Sequence, residues 1–99
     1  MKVRNMESAK GTKVANQFII TDERRTQYFQ SYKSIIAKVP VNSHALPKDH
    51  PCYEPVELDS HYWDYSVTTG KYRNQFLNET KKETEAKIKS GEYKLADLN

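Results

Sequence analysis

Apolar positions along this chain alternate with a period near two in its first half and near four in its second, which predicts strands followed by helices. The run N-Q-F-I-I-T, Asn16 to Thr21, is rich in β-branched and aromatic residues and meets D-E-R-R, a composition that suits a hairpin connection. The returning segment R-T-Q-Y-F-Q-S places Tyr28 on one face and Phe29 on the other. Ser34 to Val39 continues as a third strand or as the far half of a bent second one. After a proline-rich stretch, P-V-E-L-D-S returns as another strand with Val56 and Leu58 on one face. Residues 1–13 are polar and aperiodic, so a loose or edge-paired start is expected.

Beyond residue 66 the period lengthens. Thr68 or Thr69 can cap a helix in which Tyr72 and Phe76 form an i, i+4 pair facing the sheet, with Leu77 widening the stripe. Thr80-Lys81-Lys82-Glu83 has the capping-box form, which predicts a second helix from about Thr80 to Ser90, with Gly91 as its left-handed stop. Only Ala86 and Ile88 are apolar there, so that helix is mainly solvated. The closing E-Y-K-L-A-D-L is a short strand or tail whose Tyr93 and Leu95 can dock back. The fold class expected is α+β: a small antiparallel sheet followed by two short helices, with an irregular loop clipped by zinc.

Ninety-nine residues, 36% apolar and 29% charged, make a single domain, 1–99, with a thin core. It divides into the N-terminal segment 1–13, a proline-rich loop 40–61 and a helical part 68–90. A domain of this size buries about 65% of its unfolded surface, so it profits from a metal clip. One cysteine excludes an intramolecular disulfide, and with no signal-like or membrane-length apolar run the expected setting is a cytoplasm.

The candidate chemistry lies in the loop. His44, His50, Cys52 and His61 gather every histidine and the lone cysteine into one short stretch. Three imidazoles and a thiolate complete a tetrahedral zinc site and leave no position for water, which predicts a structural Zn2+ and not a catalytic one. The spacing His-x5-His-x-Cys-x8-His matches no common zinc knuckle. Pro47, Pro51 and Pro55 discourage regular structure, so a metal would give the loop its shape. Asp49, Glu54 or Asp59 can replace one ligand. In the plainer alternative, His44 and His50 are solvated and Cys52 is an ordinary semi-buried thiol.

The net charge of +3 is mild and unevenly spread. Lys2, Arg4, Lys10, Lys13, Arg24 and Arg25 are candidate phosphate contacts, which leaves direct nucleic-acid binding open but weakly supported. Glu54, Glu57, Asp59, Glu83 and Glu85, with Tyr53 and Tyr62 as aromatic anchors, are the candidate contacts to a protein partner. Trp63 and Tyr65, beside Lys71 and Arg73, can stack on bases if exposed, although large aromatics next to a helix cap are more often core. The chain lacks a phosphate-binding glycine loop, a nucleophile elbow and H-E-x-x-H, so no enzyme is expected.

The blocks K-V-A-N-Q-F-I-I, Y-F-Q-S-Y-K-S-I-I-A, Y-W-D-Y-S-V-T-T-G-K-Y-R-N-Q-F-L and I-K-S-G-E-Y-K-L-A-D-L-N resemble a family of small proteins carried by phages and mobile elements of Gram-positive bacteria. The likeness covers about four fifths of the chain and makes residues 41–56 look like an insertion. It implies an inhibitor of host defence acting in the host cytoplasm, and the chain looks like a zinc-containing type II anti-CRISPR protein that binds Cas9, or another host defence nuclease, stoichiometrically. The alternative is a non-sequence-specific nucleic-acid-binding accessory protein. The family supplies no catalytic residues to transfer.

Overall fold

The computed structural model describes residues 1–99. Its elements are β1 (Lys2–Glu7), β2 (Lys13–Thr21), β3 (Gln27–Ser31), β4 (Ser34–Val39), α1 (Asn42–Ala45), β5 (Glu57–Asp59), α2 (Val67–Leu77), α3 (Lys81–Ser90) and β6 (Lys94–Ala96). The strands form one six-stranded sheet in chain order. All neighbours are antiparallel except β5 and β6, which run parallel because two helices intervene and bring the chain back to start at the same end.

Local chemistry explains the turns. Asp22 closes the β2–β3 turn by accepting from the amides of Arg24 (2.8 Å) and Thr26 (3.0 Å), while Arg25 takes a left-handed conformation. Tyr32 and Lys33 alone join β3 to β4, so these are two separate strands and not one bent strand. At the N-terminus the edge-paired option holds: β1 lies along β2 from Lys2 opposite Thr21 to Asn5 opposite Phe18. A bulge then turns Met6 inward to 2% exposure.

Sheet alternation sends Ile19, Phe29, Ala37 and Leu58, which stand directly opposite one another across four strands, toward the helices. Phe29, Ile36, Ala37 and Leu58 are wholly buried. Phe76 of α2 stacks on Phe29 with ring centroids 5.8 Å apart, and Tyr72 one turn earlier is buried, as the i, i+4 pattern predicts. Ser66, not Thr68 or Thr69, caps α2, accepting from the Thr69 amide at 3.1 Å. Thr69 is instead drawn into the core, where its hydroxyl meets that of Ser31 at 2.9 Å.

The capping box at Thr80 and Glu83 and the left-handed stop at Gly91 form as expected. Of the two apolar residues of α3, Ile88 packs on the core while Ala86 stays exposed, and the buried position is Thr84. Tyr93 docks to 7% exposure, but Leu95, on the short edge strand β6, remains 47% exposed.

Candidate functional site

The residues expected to bind zinc are placed apart from the core. His44, His50, Cys52 and His61 are all exposed, and no three His, Cys, Asp or Glu side chains gather in metal-binding geometry. This arrangement does not fit a preformed tetrahedral centre. Polar contacts brace the loop: Ser43 Oγ donates to the Pro40 carbonyl (2.6 Å), Asn42 Nδ2 to the Cys52 carbonyl (3.1 Å), and Lys48 pairs with Glu92 (2.8 Å). The Cys52 amide donates to His50 Nδ1 at 3.0 Å, so one imidazole nitrogen already serves a local turn.

The acidic residues expected to meet a partner differ in their surroundings. Asp59 is 1% exposed and structural: it accepts from the amides of Tyr62 (2.8 Å), Leu98 (2.8 Å) and His61 (3.1 Å). Burial raises its pKa, but these donors together with Asn99 outweigh it and hold the carboxyl below its ordinary range. Glu57 pairs with Lys38 at 3.5 Å, and Glu83 is committed to the capping box. Glu54 and Glu85 remain exposed, Tyr53 is half-buried, and Tyr62 packs against the core and edge-on to Tyr65 at 5.6 Å. A run of carboxylates in sequence is no guide to a free acidic face, because buried amides and lysines compete for the same oxygens.

Two surfaces stand out instead. The first is the face of the sheet turned away from the helices. Val3, Ile20, Tyr28 and Lys38 stand directly opposite one another, with Glu57 next in the row. Asn5, Phe18, Gln30 and Ile35 form a second row on the same face. Val3 is 61% exposed, and Phe18, Ile20, Tyr28 and Ile35 are half-buried outside the hydrophobic core cluster. The consecutive triplet Phe18-Ile19-Ile20 was the legible signal, since a strand apolar at adjacent positions presents carbon on both faces. At one end this face meets a cleft of about 210 Å³ bordered by Arg24, Tyr28, Lys38 and Glu54.

The second surface is a polar cleft of about 620 Å³ where α2 and α3 begin, walled by Asp64, Ser66, Lys71, Arg73, Asn74 and Lys81. Arg73 is completely buried, an uncommon state for a guanidinium and one that requires pairing. Its Nη1 donates to the Trp63 carbonyl (2.6 Å) and to Asp64 Oδ1 (3.1 Å), its Nη2 to Asn74 Oδ1 (3.0 Å), and its Nε–H has no acceptor. Trp63 lies over the guanidinium, 5.1 Å from ring centre to Cζ, so the indole is engaged with the protein's own cation. Tyr65 is the more exposed aromatic of that group, at 52%. Lys81 binds the other oxygen of Asp64 at 2.8 Å. Burial raises the Asp64 pKa, yet the hydrogen bonds and charges of Lys81 and Arg73 overcome it and keep the carboxyl ionised below its usual range.

Charge separates along the chain as well. Residues 1–34 carry seven Lys or Arg against three acids, whereas 35–99 carry nine against ten. Lys2, Arg4, Lys10, Lys13, Arg24 and Arg25 are all exposed. No helix is long and apolar enough to cross a membrane.

No curated protein and no solved structure matches the chain. One family model does, over residues 1–92, running from β1 through the proline-rich loop and both helices, so the match takes in the open sheet face and the polar cleft alike. The chain belongs to that family, a family of unknown function designated DUF8033.

Proposed function

We propose that this protein is a stoichiometric binding protein whose working surface is the uncovered face of its sheet, and that its partner is a protein. The observation that carries the reading is the apolar centre formed by Val3, Phe18, Ile20, Tyr28 and Ile35, framed by Asn5, Gln30 and the Lys38–Glu57 ion pair. Apolar and aromatic residues inside a polar rim are the composition of a protein interface. The partner proposed first is a host defence nuclease, with Cas9 the specific case, blocked by occupancy in the host cytoplasm. That choice rests on the resemblance of the sequence blocks, and the sheet face is the contact proposed for it.

The test is a cleavage assay with increasing protein, run with the native chain and with Ile20→Lys. Inhibition complete near one equivalent, and lost in Ile20→Lys at an unchanged melting temperature, is the expected result. Undiminished cleavage at large excess rejects Cas9 as the partner. Undiminished inhibition by the folded Ile20→Lys variant rejects the sheet face.

A second reading, direct phosphate-backbone binding, is favoured by the exposed cations of residues 1–34. A labelled-DNA shift whose log K falls by about 0.7 to 0.9 per neutralised phosphate for each tenfold rise in salt would support it over the protein partner.

A further inference from the structure

We propose that the cleft between the starts of α2 and α3 is a binding site for a phosphate dianion, either free or as the monoester of a small molecule. Three cations surround it and one acid opposes them. Lys71, Arg73 and Lys81 face a single carboxylate, Asp64, whose two oxygens are already divided between Arg73 and Lys81. Lys71 has no carboxylate partner and rests against the Tyr72 ring at 5.3 Å. The cleft therefore holds an excess of two positive charges in a concave, polar setting where Val67 is the one apolar wall.

Backbone geometry adds to this. Ser66, Val67 and Gly70 at the start of α2 line the same cleft; Ser66 accepts from Thr69 and Gly70, and the amides of Val67 and Thr68 have no partner in the protein. Free amides and the positive end of a helix favour an oxyanion. An independent observation comes from Arg73: fully buried, it keeps an Nε–H with no acceptor, although nearly all buried donors in folded proteins are satisfied. A phosphate oxygen is an acceptor of the right charge for it.

A Cβ added at Gly70 would sit 3.7 Å from both Arg73 Nη2 and Asp64 Oδ1, in ordinary contact and without a clash. At about 620 Å³ the cleft falls within the usual range for small-molecule sites, about 300 to 1,000 Å³, but its polar walls select against an apolar ligand.

The experiment is an amide NMR titration of the full chain with inorganic phosphate at constant ionic strength, with chloride as the control and adenosine monophosphate as a second arm. Saturable shifts at Val67, Thr68, Lys71 and the Arg73 Nε–H are expected, with a Kd on the order of 1 mM for phosphate. Tighter binding of the nucleotide identifies a monoester as the ligand, and equal binding identifies the free ion. The Lys71→Gln, Lys81→Gln double variant should weaken binding about tenfold, a difference of about 1.4 kcal/mol. Shifts that are non-saturating, reproduced by chloride, or unchanged in the folded double variant would overturn the proposal.

Discussion

Removing the Glu79 carboxylate should unfasten α3 from the rest of the molecule. Its side chain is 3% exposed and lies in the short connection between the two helices. It accepts from the Thr84 hydroxyl, from Lys87 Nζ at 2.8 Å and from the Tyr93 hydroxyl at 2.7 Å, so one carboxylate ties the start of α3, its last turn and the segment entering β6. Lys87 is 35% exposed and can return to water, which discounts its share, and Thr84 keeps a second acceptor in the Thr80 carbonyl at 3.2 Å. The buried Tyr93 hydroxyl has no such alternative. A buried donor left unsatisfied costs about 1 to 3 kcal/mol and the lost charged hydrogen bonds add to it, so Glu79→Ala should destabilise by about 3 kcal/mol. For a domain of this size that is a fall in melting temperature of about 12 to 24 °C. Urea denaturation followed by circular dichroism measures it. Tyr93→Phe alone should cost about 1 kcal/mol, and the double variant less than the sum by about 1 kcal/mol, because both changes remove the same bond. A loss below about 1 kcal/mol for Glu79→Ala, or strict additivity in the cycle, would refute the clamp.

Acid should act through the same carboxylates. Asp59, Asp64 and Glu79 each have a folded pKa below the ordinary value, so each contributes stability that is complete above the unfolded carboxylate range, about pH 4, and disappears as pH falls through the folded values. The urea midpoint should be flat from neutral pH to about 5 and drop steeply below 4, and a flat profile down to pH 2 would contradict it. Alkali should act through Tyr93, whose pKa is raised by burial and then by the neighbouring Glu79; its contribution is intact below the unfolded value of about 10 and is lost above it, a loss that Tyr93→Phe should remove. Asn99 pins β4 by exchanging hydrogen bonds with the Ile35 amide (2.7 Å) and carbonyl (3.0 Å), so Asn99→Ala should cost about 1 kcal/mol and speed hydrogen exchange at Ile35; unchanged exchange would show that the pair is not made in solution. Chelation should leave the melting temperature unchanged, since His44, His50, Cys52 and His61 are exposed and not gathered, whereas stoichiometric zinc lost in Cys52→Ser would mean that the loop closes around an ion.

Much of the architecture was legible because its signals are local. The capping box at Thr80, the stop at Gly91, the Tyr72–Phe76 pair and the opposite faces of Tyr28 and Phe29 depend on residues a few positions apart, and periodicity and side-chain chemistry determine them before the chain has folded. The first cap of α2 was less legible, because Ser66, Thr68 and Thr69 are equally competent in isolation. Burial of Thr69 against Ser31 is what reserves the role for Ser66.

Tertiary structure alone decided the rest. That β1 finds β2, that β6 returns parallel to β5, that Asp59 serves the tail at Leu98, that Arg73 is sealed from water and that the Glu79 carboxylate is nearly so depend on partners distant in sequence. The histidines and the cysteine, close along the chain, stand exposed in a proline-punctuated loop that satisfies part of its backbone internally. The amino-acid order determined which segments become strands and helices and which stripe of each is apolar. Which polar groups are shared, sealed or left free was determined only when those segments packed, because desolvation and hydrogen-bond competition exist only between surfaces already in contact.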